Sequence, residues 1–122
     1  MPKKTAVKAY APGSLSAVFS LLKRDPDALL VTGATYLLMP DNDRWNNPGS
    51  TVISLANVKE LKRITRTDKN IEIGSAASFH KILRIGALLP DALRQALESI
   101  SSIPVRNLAS MGGNLCVSDY CL

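Results

Sequence analysis

Two short glycine-bearing stretches hold the residue types that could bind a phosphorylated ligand. In "VTGATYL", residues 31–37, an apolar run ends at a glycine flanked by hydroxyl side chains. A backbone turning at Gly33 can aim consecutive amides at an anion, and the absent β-carbon lets a phosphate come close. Thr32 and Thr35 add hydroxyl donors. In "ASMGGNLC", residues 109–116, the adjacent Gly112 and Gly113 favour positive φ and a backbone able to lie against a flat ligand or a diphosphate. Asn114 both donates and accepts through one carboxamide. Each stretch also has a plain reading: a strand-to-helix turn for the first, a tight turn before a final strand for the second. Neither matches GxGxxG or GxxxxGKS, so a dinucleotide fingerprint or a P-loop is excluded.

Other chemistry-bearing residues are sparse. Cys116 and Cys121 form a C-x4-C pair without the four ligands a metal or cluster site needs, and the single His80 is remote in sequence. No metal site is expected, and a lone His near a helix start is a surface or capping residue. The densest basic cluster, "KELKR" at 59–63, is a solvated edge. A formal charge of +5 from 15 basic and 10 acidic residues permits acidic partners. Nucleic acid is not expected among them, because no aromatic residue interleaves with basic ones in a stacking pattern.

The elements that must position these loops come from a chain of 122 residues, enough for one globular domain. Hydrophobic residues at 46% and charged residues at 20% suit a soluble fold, and the apolar runs are strand-sized, so no membrane association is expected. The N-terminus has no signal-peptide core, which makes the cytoplasm the default location.

"KTAVKAYAPGS" predicts a short strand ending in a Pro-Gly turn, with Ser14 as N-cap. Leu15, Val18, Phe19 and Leu22 mark one face of a helix closing at Lys23 and Arg24. "DALLVTG" reads as a strand buried on both faces and paired in parallel with the first, a βαβ unit. Residues 40–50 are loop, "TVISL" another strand and "NVKEL" a short helical turn. "KRITRTDKNIEIGS" alternates like a hairpin turning at Asp68 to Asn70, with Ile64, Ile71 and Ile73 on one face. Two helices follow: "SFHKILRIG", capped by Ser78, and "PDALRQALESI", with Pro90 in its first turn and Leu93, Leu97 and Ile100 on one face.

In this order the segments resemble the flavin-binding subunit of the molybdenum hydroxylases, the xanthine dehydrogenase and carbon monoxide dehydrogenase family. Four stretches carry the resemblance: "YAPGSLSAVFSLL", "LLVTGATYLL", "IEIGSAASFHKIL" and "IPVRNLASMGGNLC". The last is the most specific, since Arg106, Asn107, Gly112, Gly113 and Asn114 stand at the family's relative spacing.

The resemblance implies an α+β fold of the PCMH-type FAD-binding kind. Residues 1–57 would form a small βαβ subdomain and residues 58–122 the start of a second α/β subdomain. It implies FAD between them, its diphosphate held by backbone amides of two loops. The first comprises Leu30, Val31, Thr32, Gly33, Ala34, Thr35, Tyr36 and Leu37. The second comprises Ala109, Ser110, Met111, Gly112, Gly113 and Asn114; Asp119 echoes a later Ser-Asp pair of the family. Arg106 would brace the second loop. It further implies a [2Fe-2S] partner subunit and a molybdopterin-binding large subunit, with this chain relaying electrons through FAD to an external acceptor and no catalytic residue of its own. Family subunits continue well past residue 122, so the second subdomain is expected to be cut partway, leaving faces that favour self-association. The alternative is a truncated assembly module that binds partner subunits without flavin.

Overall fold

The computed structural model of the chain describes residues 6–35, 51–100 and 102–116. Strand β1, Lys8–Tyr10, runs into helix α1, Leu15–Arg24. Ser14 caps that helix, its side chain accepting from the Ala17 amide at 3.3 Å. Lys23 and Arg24 occupy the last turn, where their charge meets the negative end of the helix dipole. The Asp25 amide closes the helix on the Leu21 carbonyl at 2.9 Å before Pro26 prevents continuation. Strands β2, Leu29–Val31, and β3, Thr51–Ser54, complete a three-stranded parallel sheet in the order β1-β3-β2.

That order corrects the expected pairing. The two strands joined by α1 are parallel but do not touch, because β3 lies between them, pairing Tyr10 with Ile53 on one side and Leu30 with Ile53 on the other. The central position explains why Ile53 is fully buried while Leu30, on a flanking strand, is 42% exposed and not enclosed on both faces. Among the four apolar residues of the α1 face, Val18 is buried, whereas Phe19 is 58% exposed. The loop expected at 40–50 lies outside the described residues.

A 3₁₀ turn at Lys59–Lys62 leads into an antiparallel hairpin of β4, Ile64–Arg66, and β5, Ile71–Ile73. Ile64 faces Ile73 and Arg66 faces Ile71, so the apolar side chains fall on one face, as the alternation predicts. The turn is closed by Thr67, whose amide donates to the Asn70 carbonyl at 2.8 Å while its hydroxyl accepts from the Asn70 amide at 3.0 Å.

Helix α2, Phe79–Leu83, starts at Ser78, which accepts from the Lys81 amide at 3.2 Å. Helix α3, Asp91–Ser99, is preceded by Pro90, which is the capping residue itself, one position earlier than a first-turn proline. Phe79, Ile82, Leu89 and Leu97 form the buried core of this half, with Ile64, Ile73, Leu93 and Ile100 packed around it. Burying a side chain such as Ile82 contributes roughly 1.5–3 kcal/mol. His80 is exposed on α2, as expected of a surface histidine.

The last segment departs most from expectation. In place of a turn and a strand it forms α4, Ile103–Leu108, and α5, Met111–Leu115. Pro104 in the first turn of α4 and Ser110 as N-cap of α5 are local signals for both helices.

Candidate functional site

The two glycine stretches meet. The Thr32 and Ser110 hydroxyls share a hydrogen bond of 2.8 Å across 78 residues of sequence. A β-carbon at Gly33 would stand 1.8 Å from the Leu108 carbonyl oxygen and 3.3 Å from the Ala109 nitrogen. Only hydrogen fits there, so the first loop rests directly on the backbone that joins α4 to α5. The convergence inferred from sequence is therefore present, and the missing side chain at Gly33 is what lets the two loops touch.

The second loop is corrected in two respects. Gly112 and Gly113 lie inside α5 and neither has positive φ; among the described residues that conformation falls at Ala34, φ 57°, and Gly86, φ 70°. The physical reason is packing. A β-carbon at Gly112 would stand 2.8 Å from both the oxygen and the β-carbon of Ser75, and the Gly112 amide donates to that Ser75 carbonyl at 2.8 Å. Glycine costs about 1 kcal/mol in a helix relative to alanine, and the close seat on Ser75 offsets it.

The second correction concerns the amides. Those of Met111, Gly112 and Asn114 donate to the carbonyls of Ala77, Ser75 and Ser110, and the Gly113 amide donates to the Ser110 hydroxyl at 3.1 Å. The second loop thus uses its backbone donors to build itself. The first loop does not: among the described residues no acceptor takes the amides of Thr32, Gly33 or Ala34. What α5 still offers is the exposed Asn114 carboxamide.

Arg106 braces α4, its guanidinium donating to the Glu98 carbonyl at the end of α3 at 3.2 Å. Leu30 and Val31 lie in β2, Thr35 is half-buried after the Ala34 turn, and Ala109 is buried beneath Gly33. Tyr36, Leu37 and Asp119 lie outside the described residues. So does Cys121, while Cys116 is an exposed free thiol.

Beside the loop contact opens a cleft of about 240 Å³. Thr32 and Gly33 line it, and Lys62, Ser78, Lys81 and Asn107 supply further polar groups. Ala56, Ala76, Ala77 and Leu108 give it small apolar surfaces. Sequence reasoning took Lys62 for a solvated edge and Ser78 for a helix cap alone, and did not single out Lys81. No periodicity links these positions; the nearest signal is that Lys62 and Lys81 flank the hairpin and the "GSAAS" turn that folds them together. The Lys81 ammonium donates to the Lys62 carbonyl, which places it at the end of the 3₁₀ turn. Among the described residues the ion pair is Arg94 with Asp91, so no described carboxylate neutralises either cleft lysine.

Comparison with known proteins gives this geometry a context. The family described as "FAD binding domain in molybdopterin dehydrogenase" matches residues 5–120. The nicotinate dehydrogenase FAD-subunit of Eubacterium barkeri is 33% identical over 116 residues, covering 89% of this chain and 38% of that protein. The xanthine dehydrogenase FAD-binding subunit of Escherichia coli O157:H7 is 34% identical, covering 88% of this chain and 37% of that one. Quinoline 2-oxidoreductase from Pseudomonas putida 86 has the same fold over 90% of this chain and 39% of its own, with a TM-score of 0.79 at 28% identity. The chain thus spans less than two-fifths of the length of each of these three proteins.

Proposed function

Because this chain belongs to the family of FAD binding domains in molybdopterin dehydrogenase, whose cofactor is FAD, we propose that it forms the N-terminal part of a flavoprotein electron-transfer subunit. FAD would sit in the cleft beside the contact between the Thr32–Gly33 turn and the loop around Ser110. The observation that carries this reading is the 2.8 Å bond between Thr32 and Ser110, which ties the second glycine stretch to the first, whose Thr32 and Gly33 line the cleft.

The residues present fit such a cofactor. The amides of Thr32, Gly33 and Ala34, which no described residue accepts, together with the Thr35 hydroxyl, supply donors for a diphosphate. Ala76 and Ala77 offer small apolar walls to a flat ring or a ribose edge. Asn114 stands exposed on α5, able to both donate and accept. When bound, FAD supplies the redox chemistry, accepting and passing on electrons. The chain's own part is to hold and orient it, with Arg106 fixing α4 and Ser110 fixing α5, so that the loops keep their spacing.

Electrons would come from iron-sulfur clusters in a partner subunit and leave to an external acceptor, with substrate oxidation at a molybdopterin centre in a larger subunit. The family relatives named as FAD-subunits support a place in a multi-subunit assembly. Residues 1–57 and 58–122 would form the two subdomains flanking the cofactor.

Titration with FAD, followed by quenching of flavin fluorescence, tests the site. Thr35→Val and Asn114→Ala each remove one polar contact without filling space, and each is expected to weaken FAD about tenfold, the loss typical of one hydrogen bond to a charged or polar ligand group. Binding equal to that of the original chain in both variants sinks the assignment.

A further inference from the structure

Lys62 and Lys81 come from different elements, the 3₁₀ turn and α2, and their positions are 19 residues apart. They line the same cleft as Thr32 and Gly33. The described residues lining that cleft include no carboxylate, and no described carboxylate pairs with either lysine. One hydrogen of the Lys81 ammonium goes to the Lys62 carbonyl, so that bond holds the charge in place while two donors remain. The Ser78 hydroxyl, whose oxygen accepts from the Lys81 amide, keeps its own proton to donate in the same cleft.

Both lysines line the cleft and no described carboxylate pairs with either, so an anion entering it meets positive charge that the described residues leave uncompensated. The backbone donors of α5, which the sequence assigned to the diphosphate, are engaged within the protein. We infer that Lys62 and Lys81 form the charge-bearing part of the ligand site, taking the phosphate groups of a nucleoside diphosphate moiety together with the Thr32 and Gly33 amides of the same cleft. The inference rests on the FAD reading for the identity of that moiety, the ADP portion of the cofactor.

In this arrangement the ligand's phosphates are recognised by side-chain charge and by neutral backbone donors that line one cleft. The lysines would therefore set affinity for the phosphorylated portion and its dependence on salt, and leave contacts to the flavin ring unaffected.

The test is a set of titrations of the 122-residue chain with FAD, ADP and riboflavin, the last carrying the ring without phosphate. Lys62→Gln and Lys81→Gln are each expected to weaken FAD and ADP about tenfold while riboflavin binding stays as in the original. Lys62→Arg and Lys81→Arg should restore most of the affinity, since charge is retained. Glutamine at position 81 can still donate to the Lys62 carbonyl, which separates loss of charge from loss of that structural bond. If circular dichroism shows a glutamine variant unfolded, the original chain decides: FAD and ADP affinity should fall several-fold as salt rises from low to half-molar, and an affinity independent of salt overturns the inference. FAD binding that is unchanged in folded glutamine variants overturns the lysine assignment and leaves the flavin reading standing. Lysine-dependent ADP binding without any flavin binding upholds the anion site and removes the flavin reading. Binding of none of the three ligands removes both.

Discussion

Gly33 and Gly13 differ only in what surrounds them, and the difference predicts opposite outcomes for the same substitution. A methyl at Gly33 would overlap the Leu108 carbonyl at 1.8 Å, whereas a β-carbon at Gly13 meets nothing within 4 Å. Backbone cannot move aside as a flexible side chain can, so Gly33→Ala is expected to destabilise by roughly 3 kcal/mol or more. Gly13→Ala is expected within about 0.5 kcal/mol of the original, or slightly stabilised through a stiffer unfolded chain. Urea unfolding of the two variants checks this, and equal midpoints would show that the loops do not touch in solution. The hydroxyl pair gives a second prediction at this scale. Thr32→Val and Ser110→Ala, combined in a double-mutant cycle, should show a coupling of about 1 kcal/mol. Ser110→Ala alone should cost more than Thr32→Val, because it also removes the cap on the Gly113 amide.

Among the elements, what the sequence made legible were those whose signals are local. Ser14 and Ser78 cap the helices they were expected to cap, and the alternation around Asp68 gives the hairpin its register. The strand order was not legible, because insertion of β3 between β1 and β2 is decided by burial of Ile53 and leaves no mark on the spacing of either neighbour. Helix α5 was missed for a related reason. Adjacent glycines lower helix propensity, and only the seat on Ser75, distant in sequence, makes them fit a helix. The convergence of the two loops was readable through family resemblance, while Lys62 and Lys81 were not, since a surface charge and a cleft charge look alike in one dimension. At this scale α2 is the element on which the site depends, because it is buried at Phe79 and Ile82 on one side and presents Ser78 and Lys81 to the cleft on the other. Ile82→Ala is expected to cost 2–5 kcal/mol, roughly, and Ser78→Ala about 1 kcal/mol. Thermal unfolding followed by circular dichroism distinguishes them; an Ile82→Ala loss no larger than that of Ser78→Ala would place the core elsewhere.

Across the whole molecule, the buried cluster of Phe79, Ile82, Leu89 and Leu97 belongs to the hairpin-helix half, while Val18 and Ile53, buried in α1 and the three-stranded sheet, lie outside it. Among the described residues the side-chain hydrogen bond between these halves is Thr32 with Ser110, at the edge of the cleft. A ligand lying in that cleft touches residues of both halves, so ordering of one half should be coupled to ordering of the other. FAD bound by the folded chain and not by the unfolded one stabilises by about 2.7 kcal/mol at a free concentration of one hundred times Kd. For a chain of this size that corresponds to a rise in Tm of roughly 10 °C. Differential scanning calorimetry with and without FAD measures it, and the original chain is expected to melt in one transition when FAD is present. Because the phosphates are assigned to the same seam, ADP should also raise Tm, while Lys62→Gln and Lys81→Gln together should reduce the gain from either ligand at fixed concentration. A Tm unmoved by saturating FAD would mean that the seam closes without the cofactor, and that the contact between Thr32 and Ser110 serves only to join the two halves.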